Sequence, residues 1–237
     1  MLAEMAQQEN ALFFSLIETR MRNDHLNSEL YIKDYTTFRA DRSSSSHGGV
    51  ATYIRDDIAS STEELKLFSN GTTELLSLYL RKIGLILITV YRPPNTTMEE
   101  FINISKMIKE IISNVESSTE VIILGDFNLP SIKWSNMSIK GTTREGKQQA
   151  LALIEVMEND LLIQCIDMPT RGDNILDLII MNSNGLIHSL EATDTVMSDH
   201  KFITALANIG SLSISNNCPN NMYTRILSWI STSMVKT

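Results

Sequence analysis

Cysteine is scarce, with two in 237 residues, Cys165 and Cys218, far apart in the chain. A disulfide framework therefore has little support, and Cys165, inside the apolar segment LLIQCI, reads as a buried thiol. Long apolar runs are lacking too: none approaches the roughly 20 residues of a membrane-spanning helix. The segment ALFFSLI is short and is preceded by Glu4 and Glu9 where a signal peptide would carry basic residues. The expected setting is nuclear or cytoplasmic, not secreted, with no membrane partner. Positive charge is also short. A formal net charge of −8 argues against a protein that coats nucleic acid. It leaves room for an enzyme acting on a phosphodiester, because carboxylates that hold a cation are themselves negative.

What is present is a series of short strand patterns broken by two helical ones. LFFSLI (12–17), TTFRA (36–40), VATYIR (50–55), ELLSLYL (74–80) and GLILITVY (84–91) read as strands, several rich in β-branched or aromatic residues. ELLSLYL and GLILITVY, separated by RKI, predict an antiparallel hairpin. A helix follows over 97–115, where Thr97 and Glu100 have capping-box spacing and Phe101, Ile104, Ile108, Ile111 and Ile112 form an apolar stripe. VIILG (121–125) is apolar throughout, as a strand covered on both faces would be. A second helix is expected over 144–160, then strands in LIQCI, ILDLIIM, LIHSL and FITALAN. No repeat of fixed period occurs. The pattern predicts an α/β sandwich, layered sheets with helices outside.

Polar residues gather at the strand ends: Glu18, Tyr91 with Arg92, Asp126 with Asn128, Asp177, and Ser198-Asp199-His200. Strand ends converge at the rim of a sheet, where such residues can meet. Taken singly, each has an ordinary explanation: a solvated Glu, an Asp-x-Asn turn, a helix cap. Asp177 is harder to dismiss, because a carboxylate inside ILDLII must be paired or lie at an opening. Together they supply what phosphodiester hydrolysis requires. Glu18 and Asp199 are candidates to hold a hard divalent cation, and Asp126 to take a proton from water. Asn128, His200 and Arg92 are candidates to bind phosphate, and Tyr91 offers a phenol near the leaving group. Alternation along extended chain would aim Asp126 and Asn128 to the same side.

The order of LIETRM, HGGVATYI, TVYRPPN, ILGDFNLP, PTRGDNILDLIIMN and VMSDHKFI resembles the endonuclease/exonuclease/phosphatase family. More closely, it resembles the apurinic-endonuclease-like domain of non-LTR (LINE-type) retrotransposon proteins, over residues 11–208. The resemblance implies a four-layered sandwich of two mixed sheets, Mg²⁺ (or Mn²⁺) as cofactor, DNA as substrate, and cleavage that leaves a 3′-hydroxyl. It implies that Glu18 binds the metal, Asp126 positions water, Asn128 orients phosphate or Asp126, and Asp199 completes the metal or nucleophile network. His200 would contact the scissile phosphate with Asp177 behind it, and Tyr91 would stabilise the transition state.

Members of the family begin with a strand ending in Asn, ahead of the strand that carries the metal-binding Glu. Here only MLAEMAQQEN precedes ALFFSLI, so that first strand is expected to be missing and the ten residues to be the end of a helix. The domain is expected to span 1–208. Residues 209–237, rich in Ser and Asn, are expected to form a linker-like tail in which YTRILSWISTSM is a short helix. Two alternatives to a DNA-nicking enzyme stay open: an inactive truncated relic, and a phosphatase or phosphodiesterase of the same fold acting on a substrate other than nucleic acid.

Overall fold

The computed structural model describes residues 2–42, 48–116, 118–141, 143–196 and 198–208, and the backbone of 223–230. In chain order the elements are α1 (Leu2–Gln8), β1 (Phe13–Ile17), β2 (Tyr35–Ala40), β3 (Val50–Arg55), α2 (Asp56–Ala59), β4 (Thr62–Ser69), β5 (Glu74–Leu80), β6 (Leu85–Tyr91), α3 (Met98–Ser113), β7 (Glu120–Asp126), β8 (Ile132–Lys133), β9 (Ser138–Ile139), α4 (Arg144–Asn159), β10 (Ile163–Gln164), β11 (Asp177–Met181), β12 (Ile187–Thr193), β13 (Phe202–Asn208) and β14 (Tyr223–Ile230). They form two six-stranded mixed sheets, in the orders β12-β13-β14-β1-β3-β2 and β10-β11-β7-β6-β5-β4, and a small β8-β9 hairpin. No described helix is long and apolar enough to cross a membrane.

The period of two in the strand sequences builds the layers. In β6, Leu85, Leu87 and Tyr91 face the other sheet, while Ile86, Ile88 and Val90 face the helices. Between the sheets, Phe13, Ile17 and Ile54 pack with Leu76, Leu87, Leu124 and Ile179. On the far side of the second sheet, Phe101, Ile104 and Ile108 of α3 and Leu153 and Met157 of α4 cover Ile88, Ile123 and Ile180. On the far side of the first, Ala6 of α1 packs with Phe14, Tyr53 and Phe202. The result is the four-layered sandwich expected from the sequence. Helix α3 starts as its capping box predicts: Thr97 Oγ1 accepts from the Glu100 amide at 3.3 Å, and Glu100 Oε2 accepts from the Thr97 amide at 2.8 Å.

One buried polar feature ties the sheets together. The hydroxyls of Ser15 (β1), Thr52 (β3) and Thr89 (β6) form a closed triangle with sides of 2.8, 3.1 and 2.9 Å. Each hydroxyl can donate once around the ring, so all three of these buried O–H groups are paired.

The chain begins with a helix, as expected, but the place beside β1 is filled. Strand β14 pairs in parallel with β1, Ile17 opposite Ile230, and antiparallel with β13, Asn208 opposite Tyr223. The sheet thus extends beyond Asn208, where the sequence reading ended the domain, and YTRILSWI is a strand, not a helix. Eight residues of mixed apolar character do not distinguish strand from helix on their own; the slot between β13 and β1 decides. Residues 209–222 and 231–237, within the expected tail, and most of the polar loop 42–49 lie outside the described residues. Strand β4 was not expected: its charged face is largely exposed, and it is held by backbone pairing with β5 along the sheet edge.

Candidate active site

Register assembles the site. Across the second sheet Glu74 is opposite Tyr91, Tyr91 opposite Asp126, and Asp126 opposite Asp177. Directly opposed residues share a face, so four polar side chains form one row at the sheet's rim, aimed at the other sheet. That sheet contributes Glu18, immediately after β1, and His200, shortly before β13. Gly125 lets β7 reach this position. Its φ is +146°, and a Cβ there would lie 1.8 Å from the Val90 carbonyl oxygen of β6.

Asp126, Asp177 and His200 are all buried, and one potential ligand atom from each lies within 4.8 Å of the others. The ring nitrogen Nδ1 of His200 is 2.8 Å from Asp177 Oδ2. Asp177 Oδ1 has no hydrogen-bond partner among the described residues. Thr170 Oγ1 accepts from the amides of Leu176 and Asp177 at 3.0 and 3.1 Å, fixing the start of β11. At the other end of the row the Tyr91 hydroxyl donates to Glu18 Oε1 at 2.5 Å.

Asp126 and Asn128 come together differently from the alternation expected. Asn128 is left-handed, with φ 47°. The chain therefore turns back, and Asp126 Oδ1 accepts from the Asn128 amide at 2.9 Å while Oδ2 accepts from Asn128 Nδ2 at 2.7 Å. The same Nδ2 donates to the Arg92 carbonyl at 2.9 Å. Both carboxamide hydrogens are thus engaged in orienting Asp126 and the loop, and neither is left for the phosphate contact expected of Asn128.

Arg92 also departs from its expected role. It is only 2% exposed, and its guanidinium donates to the carbonyls of Phe127 at 2.7 Å and Asn128 at 2.9 Å and to Gln149 Oε1. It braces the Asp126–Asn128 loop from behind. Its place in the motif beside Tyr91 carried no information about burial, and strand alternation sends it to the helix side of the sheet. Asp199 stands apart as well. Its carboxylate is half exposed and forms an ion pair with Arg171 at 2.5 Å; it was expected to hold the cation with Glu18, but it lies outside the buried Asp-Asp-His group.

Burial sets the electrostatics. Burial and the nearby charge of Asp177 push the Asp126 carboxyl well above the usual range, outweighing the contributions of His200 and the Asn128 amide. Burial opposes the His200 imidazolium, but the hydrogen bond to Asp177 and the charges of Asp177 and Asp126 prevail, and its pKa is raised. Burial, then the hydrogen bond to Glu18 and its charge, pushes the Tyr91 phenol up, so it keeps its proton. Such an arrangement brings a carboxyl of high proton affinity, an anchored imidazole and a phenol to one rim. Behind the Asp126–Asn128 loop, on the side of Arg92, lies a groove of about 600 Å³ walled by Asn95, Thr96, Asn128, Gln149, Arg171 and Asn174.

Sequence reasoning missed Glu74 and Arg171. Glu74 was legible in principle, because closing the hairpin through RKI at Leu80 and Leu85 places it opposite Tyr91. Arg171 had no such signal, since its partnership with Asp199 is made by two loops.

Two sheets face to face, helices outside, and a buried acid–imidazole row at the rim define the endonuclease/exonuclease/phosphatase class of fold. A family model described as "Endonuclease-reverse transcriptase" matches residues 85–204, half of the chain. The chain belongs to that family. No curated protein matches it at a significant level. Among solved structures it is similar to the endonuclease domain of TRAS1, a telomere-specific non-LTR retrotransposon (18% identity, TM-score 0.56, 84% of this chain and 87% of that one). It is also similar to an AP endonuclease from Leishmania major (14%, 0.60, 84% and 79%). A third likeness is to the Neisseria 3′ phosphatase NExo bound to a product DNA hairpin (11%, 0.63, 86% and 91%). At these identities the likeness is one of fold.

Proposed function

We propose that the chain is a Mg²⁺- or Mn²⁺-dependent phosphodiester hydrolase of retrotransposon origin that nicks DNA and leaves a 3′-hydroxyl. The observation that carries this reading is the single rim on which Asp126, Asp177 and His200 meet while Glu18 and Tyr91 close the other end. Membership of a nuclease–reverse-transcriptase family supports the substrate class.

The donor set fits a hard cation. Glu18 and Asp126 offer carboxylate oxygens, and Asp177 Oδ1 lacks a hydrogen-bond partner among the described residues. A divalent cation, when bound, would neutralise charge on the phosphoryl oxygens. The chain's own residues do the rest. Asp126, oriented by Asn128, takes the proton of the attacking water. His200, kept protonated by Asp177, places a cationic N–H toward a phosphate oxygen. Tyr91, which retains its proton, donates it to Glu18 and so holds that carboxylate at the rim. Arg171, at the mouth beside Asp199, supplies further positive charge to a polyanion.

The test is conversion of supercoiled plasmid to open circle by the purified chain, with Mg²⁺ and with chelator, alongside Asp126→Ala and His200→Ala. Nicking that needs the cation and disappears in both variants is expected, with ends that a polymerase extends. Nicking that survives both substitutions refutes the site. Hydrolysis confined to inositol or sugar phosphates refutes the substrate class, and a folded protein inert on every substrate refutes activity.

A further inference from the structure

We propose that Glu74 is a positioning residue for Glu18, acting through the Gly48–Gly49 turn and not on the substrate. This rests on the reading of Glu18 as a cation ligand, but its structural half can be tested without that reading.

Glu18 and Arg20 both lie in the left-handed region, at φ 54° and 58°. For residues other than glycine this conformation is strained, and such backbone persists only where its surroundings hold it. Here the hold is specific. The Thr19 amide donates to the Gly49 carbonyl at 3.1 Å, and the Arg20 amide donates to the Gly48 carbonyl at 2.7 Å. Both glycines have positive φ, 100° and 87°. A Cβ on Gly49 would lie 2.6 Å from Thr19 Oγ1, and one on Gly48 would lie 2.7 Å from Arg42 Cδ. The turn is therefore pressed against the segment it supports and tolerates no side chain.

Glu74 secures the turn from the other side. It is fully buried, and its Oε2 accepts from the Gly49 amide at 3.2 Å. Its Oε1 lies 3.7 Å from Arg42 Nε, which itself donates to the Gly71 carbonyl at 2.5 Å. A buried carboxylate costs several kcal/mol to desolvate, so a chain that needed only an apolar strand start would not place one here. Its register neighbour Tyr91 grips the Glu18 carboxylate directly. Glu18 is consequently held at both ends: its side chain by Tyr91, and its backbone by Gly48–Gly49 resting on Glu74.

The roles separate in the variants Glu74→Gln, Glu74→Leu and Gly49→Ala. Gln keeps an oxygen for the Gly49 amide; Leu does not; Ala at 49 disturbs the same relay while leaving Glu74 in place. Hydrogen exchange of the cation-free proteins reports on the Thr19 and Arg20 amides. At least tenfold faster exchange there is expected in Glu74→Leu and Gly49→Ala, with β6 and β7 protected as in the parent and Gln close to the parent. Titrating Mg²⁺ by calorimetry and in the nicking assay should show a shift of about tenfold in half-saturation for Leu and Ala, a smaller one for Gln, and little change in the saturated rate. Unchanged exchange at 19 and 20 in the folded variants overturns the proposal, as does a Gln variant as impaired as Leu. A lower saturated rate at unchanged Mg²⁺ half-saturation overturns it too. If the parent neither binds Mg²⁺ nor nicks, the reading of the site fails, and the exchange result still decides the relay.

Discussion

Replacing Arg92 by Met distinguishes a brace from a phosphate ligand. The guanidinium satisfies three buried acceptors, the carbonyls of Phe127 and Asn128 and Gln149 Oε1. Stranding a buried acceptor costs about 1–3 kcal/mol, so three cost roughly 3–9 kcal/mol. Removing a buried cation returns part of this. Burial brings the Arg92 pKa down to about 10, a fall that corresponds to roughly 3 kcal/mol at about 1.36 kcal/mol per pH unit. The expected net loss is up to about 6 kcal/mol, with about 3 kcal/mol at the middle of the range, read as a lower urea midpoint at unchanged slope. Because the brace sets the left-handed Asn128 and through it Asp126, kcat should fall on the order of 10–100-fold with KM for plasmid little changed. Arg92→Lys should recover only part of the stability, since one ammonium does not span three acceptors as the planar fork does. A raised KM with stability and kcat intact would refute the brace and restore the phosphate ligand.

Asp126→Asn should abolish nicking, and its thermal midpoint relative to the parent should climb as pH rises. The folded-state pKa of Asp126 is raised, so its contribution to stability is present at low pH and is lost as pH rises from the ordinary 3.8 through the raised value. A difference in midpoint that does not move with pH would contradict this. His200 runs with the same sign in a higher pH window. With a raised pKa, its protonation stabilises the fold fully below the ordinary 6.5, and that stability is lost as pH rises through the folded value. In Asp177→Asn an NMR titration should find the His200 pKa lower than in the parent, and an unmoved pKa would mean that the 2.8 Å contact carries no charge coupling. Ending the chain at Asn208 removes β14 and its five register pairs with β1 and six with β13. The shortened chain should lose cooperative thermal unfolding, and retention of the parent's transition would show that β14 is dispensable.

What the sequence made legible was local. Strands covered on both faces, such as β6 and β7, announce themselves as unbroken apolar runs, and α3 announces itself by its capping box. Asp126, Asp177 and His200 were legible only as a set, because polar residues recur at the ends of successive apolar strands where one alone would read as a turn or a cap. What stayed hidden depends on neighbours distant in sequence. Arg92 looks like a phosphate ligand until the fold buries it, and Asn128 looks extended until φ 47° turns it back. β4 is stabilised by pairing at the sheet edge, which leaves no apolar signature. β14 follows a Ser- and Asn-rich stretch and is a strand only because β1 and β13 leave a place for it.

The central claim is that side chains from two sheets make one cation-and-phosphate site. Anomalous scattering from crystals of the chain grown with Mn²⁺ tests it most directly. A peak bridging the Glu18 and Asp126 carboxylates, with His200 turned toward the same opening, is the expected result. Manganese found only at surface carboxylates, with that rim empty at saturating concentration, would contradict it.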